Sequence, residues 1–315
     1  MDTAAVYRRF AEVEARGHSP IYEAWAGGIA DDPNLLALID ELPPDKRQPN
    51  LVLGAARFVG IEPGPFAEFG PALREHWPAV RTTALIRRTQ TNEPARCAVL
   101  LPLLAALPGP LALLEVGASA GLCLYPDRYS YRYSDGTALD PADGPSPVVL
   151  DCAVTGPAPL PAALPEVVWR AGIDLNPLDA ASAEDRQWLE TLVWPEQQHR
   201  RERLHDALRI AAADPPRLIR GDIVDALPLL ATTAPADATL VVFHSAMLAY
   251  LDGPGRAAVA EQIRALPARW IANEAPSVIG YDLPRPAPTG TFVLALDERP
   301  VAFTGPHGQS LEWIQ

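Results

Sequence analysis

The sequence has few cysteines, no long hydrophobic run and no cluster of metal ligands. Its three cysteines, Cys97, Cys123 and Cys152, contain no C-x-x-C pair, so they predict neither a disulfide framework nor a zinc site. No apolar run reaches the roughly 18 residues that a membrane helix needs, and the chain does not open on a secretory signal. His199 and His205 do not share a helix face, and we predict no metal. We expect a cytoplasmic protein without a membrane partner.

Basic side chains are also scarce, since 39 Asp and Glu stand against 26 Lys and Arg, giving a net charge of −13. Phosphate backbones attract cationic patches, so this balance argues against nucleic acid as a partner. The strict dinucleotide fingerprint G-x-G-x-x-G is missing because Ser119 and Leu122 stand where its second and third glycines would be. A nicotinamide or flavin cofactor is therefore not expected.

The stretch 111–122 is the strongest local signal in the chain. Its first half is apolar except for Glu115, which is typical of a strand buried on both faces of a parallel sheet. Gly117 and Gly121 follow with Ser119 between them, and glycine permits both a positive φ and the close approach of a ligand. This pattern predicts a ligand-binding turn. The Glu115 carboxylate would repel a pyrophosphate and suits an ammonium group, which favours S-adenosylmethionine (SAM).

Two other interpretations of this turn remain open. Residues 117–121 spell G-x-S-x-G, the nucleophile elbow of α/β-hydrolases, with Ser119 as the nucleophile. An elbow needs several strands and an oxyanion-hole loop before it, and residues 1–108 offer neither, so this interpretation is weaker. A tight strand-to-helix turn that binds nothing also explains the glycines.

Residues 1–108 predict an all-helical N-terminal domain, which we interpret as a lid. Apolar residues recur there at helical spacing, and a last helix is predicted over 92–107 with Asn92 as its N-cap. The polar segment 89–93 leads into the buried strand, so Gln90 and Asn92 are expected to reach the substrate pocket. A solvated helix start explains the same segment.

From residue 109 onward, predicted strands and helices alternate, which is the pattern of a doubly wound α/β sheet. Ligands of such sheets bind beyond the carboxyl ends of the strands. The predicted strand ends carry a series of polar residues, namely Glu115, Asp174, Asp222, His244, Asn273 and Glu274.

The crossover between the first two of these strands is unusually long. A simple βαβ unit places the second strand's acid about 20 residues after the turn. Asp174 stands much farther along the chain, which predicts an insertion over the site at about 125–166. Segments 291–296 and 301–304 predict an antiparallel hairpin at the sheet edge.

Residues 111–304 resemble class I SAM-dependent methyltransferases. The resemblance lies in Leu114-Glu115-Val116-Gly117, Gly172-Ile173-Asp174-Leu175-Asn176-Pro177, Arg220-Gly221-Asp222 and the final hairpin. It implies that residues 109–315 form a Rossmann-like SAM-binding domain whose contacts are Glu115, Gly117, Ser119, Gly121, Asp174 and Asp222. Asp174 would accept hydrogen bonds from the ribose hydroxyls, and Asp222 would accept one from the adenine amino group.

Most of the chain is also similar to a bacterial family, domain of unknown function 2332. The similarity lies in Gln90-Thr91-Asn92-Glu93, Gly117-Ala118-Ser119-Ala120-Gly121-Leu122, Val193-Trp194-Pro195-Glu196-Gln197 and Val242-Phe243-His244-Ser245. That family implies the fold and no settled activity. His244 stands where amide-methylating relatives carry an Asp/Asn-Pro-Pro-aromatic motif, so methylation of DNA or of protein glutamine is not supported.

These observations predict a SAM-dependent methyltransferase that acts on an oxygen or nitrogen of a small molecule. Methyl transfer needs an aligned acceptor and, for an O–H or N–H acceptor, a group that removes the proton. His244 is the first candidate because imidazole titrates near neutral pH, and Glu274 and Tyr250 are lesser candidates. A packed histidine beside a helix cap explains His244 as well. The alternatives are a non-catalytic ligand- or partner-binding relative and a hydrolase using Ser119.

Overall fold

A computed structural model describes residues 2–90 and 92–315. The chain divides into two compact units. One is helical and consists of the chain before residue 92 together with Ser182–Glu202, and the other consists of Asn92–Ala181 and Arg203–Gln315. The helices of the described residues are α1 Thr3–Arg9, α2 Pro20–Asp31, α3 Pro33–Asp40, α4 Pro49–Phe58, α5 Phe66–Glu75, α6 Trp77–Ile86, α7 Cys97–Ala106, α8 Ala183–Leu192, α9 Gln198–Ala213, α10 Ile223–Ala231 and α11 Gly253–Arg264.

The strands all belong to the second unit. They are β1 Leu111–Val116, β2 Ser130–Tyr133, β3 Ala138–Leu139, β4 Val149–Thr155, β5 Val167–Asp174, β6 Arg217–Arg220, β7 Thr239–Ser245, β8 Arg269–Glu274, β9 Phe292–Leu296, β10 Arg299–Thr304 and β11 Ser310–Trp313. The predicted α/β class is therefore confirmed. A π-helix, Phe10–Ala15, continues α1, and short 3-10 turns occupy Pro44–Lys46, Pro94–Arg96, Leu122–Leu124 and Leu248–Tyr250.

The helical unit contains a segment that the sequence did not assign to it, 182–202. Trp188 of α8 is fully buried and donates from its indole nitrogen to the Arg88 carbonyl at 3.1 Å. Ser19, the N-cap of α2, donates to the Glu196 carboxylate at 2.6 Å, and the same carboxylate accepts from the Ile21 backbone N–H at 2.9 Å. Glu196 therefore connects the segment 182–202 to the start of α2.

The strands form one mixed sheet in the order β3-β2-β4-β11-β10-β9-β8-β7-β1-β5-β6. Its last five strands, β8-β7-β1-β5-β6, are all parallel, and the chain order runs outward from β1 in both directions. β1 is buried at every position, as its apolar sequence predicts. Ala112, Leu114 and Val116 of β1 join a hydrophobic cluster with residues of α10 and α11, so the side chain of Glu115 lies on the opposite face.

The hairpin of β9 and β10 is antiparallel, as predicted, but the prediction that it forms the sheet edge is wrong. β11 pairs with β10 and, in parallel, with β4, so three strands of the insertion extend the sheet beyond the hairpin. The edges are β3 and β6. The insertion therefore adds strands to the sheet, because its strand β4 pairs with β11 near the C-terminus.

The sequence predicts a domain boundary after residue 108, whereas the two units of the structure divide between residues 91 and 92. Helix α7 is apolar all round and buried at eight of its ten positions, and it contacts β4 and β9 of the sheet unit. Its predicted N-cap is also corrected, because the Glu93 side chain, rather than Asn92, accepts from the Ala95 N–H in the preceding 3-10 turn. Among the described helices, none combines the length and apolar character needed to cross a membrane.

Candidate functional site

The turn after β1 has an unusual backbone. Gly117, Ser119 and Gly121 have φ values of 76°, 51° and 72°, all in the left-handed region. The conformation costs glycine little, whereas for Ser119 it is unfavourable by about 1–2 kcal/mol and must be stabilised by neighbours. Part of that support comes from β5, since the Ile173 carbonyl accepts from the Gly117 and Ala118 N–H groups at 2.8 and 3.1 Å.

Asp174, at the end of β5, provides a second support. Its Oδ2 accepts from the Ser119 N–H at 2.8 Å, and its Oδ1 accepts from the Asn176 N–H at 2.7 Å. The predicted ligand contact thus also holds the turn in shape. Its role toward a ribose stays a prediction.

Asn92 reaches the turn, as the sequence led us to expect. Its Nδ2 lies 3.4 Å from the Ala118 carbonyl, and its Oδ1 accepts from the Leu122 N–H at 3.1 Å. A helix that began directly after the turn would offer unpaired N–H groups to a ligand. Instead, only the 3-10 turn Leu122–Leu124 follows, and its first N–H is bonded to Asn92.

The glycines of this region are closely packed against protein atoms. A Cβ on Gly172 would lie 2.4 Å from the Ala118 Cβ, and a Cβ on Gly117 would lie 2.4 Å from the Met247 Cγ. Real Cβ atoms do not approach so closely, so Ala118 leaves no room for a side chain at Gly172, and the φ of 76° favours glycine at residue 117 whether or not a ligand binds. The close packing explains these glycines by itself, so it is also consistent with a turn that binds no ligand.

Glu115 is the most unusual group at this edge. It is 7% exposed, and its Oε2 has no hydrogen-bond partner among the described residues. Burial, assisted by the nearby Cys123 and Asp174, raises its pKa well above the ordinary value, and the Arg96 guanidinium acts in the opposite direction. Arg96 is itself buried and donates to the carbonyls of Ser245 and Pro306, both at 3.0 Å. Oε2 of Glu115 is therefore a buried polar atom whose hydrogen-bonding capacity the described residues leave unused.

His244 and Glu274 meet at the ends of β7 and β8. His244 is fully buried, and its Nε2 accepts from the Trp270 indole N–H at 3.0 Å. An indole can only donate, so Nε2 carries no proton, and the proton on Nδ1 is directed at Glu274 Oε1 at 2.7 Å. Both ring nitrogens of His244 are thus used within the protein.

The two carboxyl oxygens of Glu274 differ in their hydrogen bonding. Its Oε1 also accepts from the N–H groups of Met247 and Leu248 at 2.9 and 3.2 Å, while its Oε2 is buried without a partner among the described residues. Beside it, Asn273 donates to Ser245 Oγ at 2.9 Å. The strand ends of β7 and β8 are therefore joined by a buried polar network.

Two other predicted site residues, Asp222 and Tyr250, are exposed. Asp222 caps α10 by accepting from the Val224 N–H at 2.9 Å. Tyr250 is 66% exposed. Gln90 belongs to the helical unit, and Thr91 lies outside the described residues. The roles predicted for Asp222, Tyr250 and Gln90 stay predictions.

Sequence reasoning missed Arg96, Met247 and Trp270. Arg96 and Trp270 contact partners at the ends of other strands, so no local spacing marks them. Met247 follows β7 by two residues, and its place beside Gly117 depends on β1 and β7 being neighbours. The available signal was its position just after a predicted strand end.

The fold and this edge define an α/β protein with acidic and amide side chains at the carboxyl ends of parallel strands. Over residues 4–313 the chain matches the family described as "Uncharacterized protein conserved in bacteria (DUF2332)", and it belongs to that family. The searches of curated proteins and of solved structures returned no match. These comparisons name no activity.

Proposed function

We propose that the protein has a Rossmann-like sheet and is a SAM-dependent methyltransferase acting on an oxygen or nitrogen of a small molecule. The order of the parallel strands supports this proposal, since β6-β5-β1-β7-β8 corresponds to the order 3-2-1-4-5 of dinucleotide-binding sheets. In such sheets the ligand lies where the strand order reverses, which here is between β1 and β7.

The observation that carries the proposal is the buried, unpartnered carboxyl oxygen of Glu115 at this position. A buried polar atom without a partner is unfavourable by roughly 1–3 kcal/mol, so a ligand that provides a donor gains from binding there. The ammonium of a methionine moiety provides both a donor and a positive charge, and it would bind the ionised form of Glu115.

SAM supplies an activated methyl group, so the protein's task is to orient the partners and accept a proton where the acceptor carries one. In the proposal, Glu115 pairs with the ammonium and Asp174 holds the turn while facing the ribose. Of the three candidate bases, Glu274 retains an unpartnered oxygen, whereas both nitrogens of His244 are engaged. Proton acceptance is therefore assigned to Glu274 in place of His244.

Titration calorimetry with SAM and S-adenosylhomocysteine tests this function. Micromolar binding of either compound is expected, with one ligand per chain. The matched control is adenosine, which lacks the amino acid moiety and should bind more weakly. Absence of heat at millimolar concentrations of both SAM and S-adenosylhomocysteine would contradict the proposal.

Ser119 separates this proposal from the hydrolase alternative. Its Oγ is buried and has no hydrogen-bond partner among the described residues, so no base is placed to activate it. We expect no covalent labelling of the protein by a fluorophosphonate probe, as judged by intact mass. A labelled protein whose label disappears in Ser119→Ala would establish the hydrolase instead.

Binding without turnover is the second candidate function. The full engagement of His244 within the protein favours it, because the residue first predicted as the base has no free nitrogen for a substrate. In that case SAM or S-adenosylhomocysteine binds, and no small acceptor becomes methylated in a mass-spectrometric screen of amines, phenols and carboxylic acids.

A further inference from the structure

The segment 246–248, directly after β7, is held in place from β8. Ala246 has a φ of 57°, which is unfavourable for alanine and requires support from its surroundings. The Asn273 carbonyl accepts from the Ala246 N–H at 3.0 Å, and Glu274 Oε1 accepts from the next two N–H groups. The last two residues of β8 thus determine where Met247 lies.

Met247 lies against the turn after β1. Met247 is 7% exposed and belongs to the cluster that includes Val116, and its Cγ lies 2.4 Å from the position that a Cβ of Gly117 would take. Met247 fills the space beside the turn within a packed cluster, so a larger group bound there would have to displace its side chain. A ligand bound at the Gly117–Gly121 turn, between β1 and β7, would meet this side chain.

The hydrogen bonds of His244 help to hold Glu274 in the position from which it binds the backbone of Met247. Trp270 binds the unprotonated Nε2, so the Nδ1 proton is available only to Glu274 Oε1, and this oxygen accepts three hydrogen bonds. Trp270, His244 and Glu274 thereby form a buried chain that ends on the backbone of Met247. This hydrogen-bonded series explains why His244 and Glu274 are buried, and it does not require His244 to contact a substrate.

We propose that Oε1 of Glu274 positions Met247, separately from the proton acceptance assigned to Oε2, and that Met247 limits the size of the ligand admitted at the glycine turn. The second half rests on the proposed function, since it assumes that a SAM-like ligand binds at this turn. The first half concerns the protein alone. The positioning role is tested by the spectrum of Met247 in the unliganded protein, and the size limit is tested separately by ligand binding.

The sequence offers a selective probe, because it contains only two methionines, Met1 and Met247. In full-length protein labelled with ¹³C-methyl methionine, Met247 is assigned as the signal lost in Met247→Leu. Glu274→Leu removes the acceptor of both N–H groups and is expected to move the Met247 signal by more than its linewidth. Glu274→Gln keeps an oxygen at Oε1 and should leave the signal near its wild-type position.

Asp32→Ala is the matched control, because it removes a carboxylate that caps α3 in the helical unit, and α3 shares no cluster with Met247. Its Met247 signal should be unchanged. A folded Glu274→Leu protein with the wild-type Met247 signal would overturn the positioning role. If Glu274→Leu does not fold, amide hydrogen exchange of the wild type decides the same point, since Oε1 should protect the Met247 and Leu248 N–H groups, and rapid exchange of both would overturn the positioning role.

The size limit is tested with SAM and its larger S-ethyl analogue, S-adenosylethionine, which carries the same sulfonium charge. Wild type should bind the larger compound more weakly relative to the smaller one, and Met247→Ala should change that ratio about tenfold or more in favour of the larger compound. A purely structural loss would weaken both compounds in proportion. An unchanged ratio, or a Met247 signal that does not respond to a bound ligand, would overturn the size limit.

Complete absence of binding by wild type would refute the proposed function and the size limit together. The positioning role of Glu274 would still be decided by the spectra of the unliganded variants.

Discussion

Replacing Glu115 with glutamine is expected to weaken SAM binding by roughly tenfold to a hundredfold, since a charge-assisted hydrogen bond contributes about 1.5–3 kcal/mol. Glutamine has nearly the same shape and lacks the charge that would pair with an ammonium. Calorimetry of the wild type and Glu115→Gln at the same pH measures the difference. Equal affinities in two folded proteins would remove Glu115 from the ligand site.

Proton release gives an independent measurement on the same residue. Burial raises the pKa of Glu115, so part of the unliganded population is protonated at a pH where an exposed glutamate is ionised. Pairing with a cation lowers the pKa again, and binding should release up to about one proton per ligand. The dependence of the binding heat on the ionisation enthalpy of the buffer measures this release. Glu115→Gln should release none from this position.

The same substitution should change how stability depends on pH. Above the ordinary value of 4.5, the folded protein holds a proton on Glu115 that the unfolded chain has lost. The free energy of unfolding therefore falls as pH rises, by about 1.4 kcal/mol per pH unit, until the raised pKa of the folded state is reached. Below 4.5 both states are protonated, and the contribution is absent.

Glu115→Gln removes this pH-dependent loss. Denaturant unfolding between pH 4 and 8 should therefore show the variant gaining stability relative to wild type as pH rises. Other groups titrate equally in both proteins and cancel in the difference. A difference that does not vary with pH would show that Glu115 titrates normally.

The second large effect is expected for Asp174→Ala. The substitution removes the acceptor for the Ser119 and Asn176 N–H groups, and a buried donor left unpaired costs about 1–3 kcal/mol. The turn would also lose one of the contacts that hold Ser119 in the left-handed region. Thermal unfolding should shift to lower temperature, and SAM affinity should fall about tenfold or more.

Two variants serve as controls for this prediction. Asp174→Asn keeps one carbonyl oxygen and should have an intermediate effect on both measurements. Asp222→Ala removes one exposed helix cap, with an expected loss of about 0.5–2 kcal/mol in stability and no effect on the Ser119 turn. If Asp174→Ala is folded and binds SAM as tightly as wild type, Asp174 serves only as a support for the loop.

Local sequence signals predicted much of this fold because they act over a few residues. The apolar run at 111–116 and the strand patterns at 291–296 and 301–304 correspond to β1, β9 and β10 of the structure. Their physical causes are burial and the alternation of side chains along a strand, both visible within one short segment. The polar residues at the strand ends were predicted in the same way, since parallel strands place their carboxyl ends on one edge.

Contacts between distant segments could not be predicted from the sequence. Because β11 pairs with β4, the C-terminal hairpin lies in the interior of the sheet and not at its edge. The segment 182–202 belongs to the helical unit. Neither outcome follows from periodicity, because hydrogen-bonding strand edges and apolar helix faces are compatible with many partners. The choice depends on the packing of the whole chain.

The sequence by itself therefore determined the α/β class, the buried strand β1, its glycine turn and the type of side chain at each strand end. Only the tertiary structure decided which of those side chains are satisfied. His244 has both nitrogens bonded, whereas Glu115 and Glu274 each have a buried oxygen without a partner among the described residues. Whether a polar atom is satisfied depends on neighbours from several strands, and these neighbours are assembled only when the sheet forms.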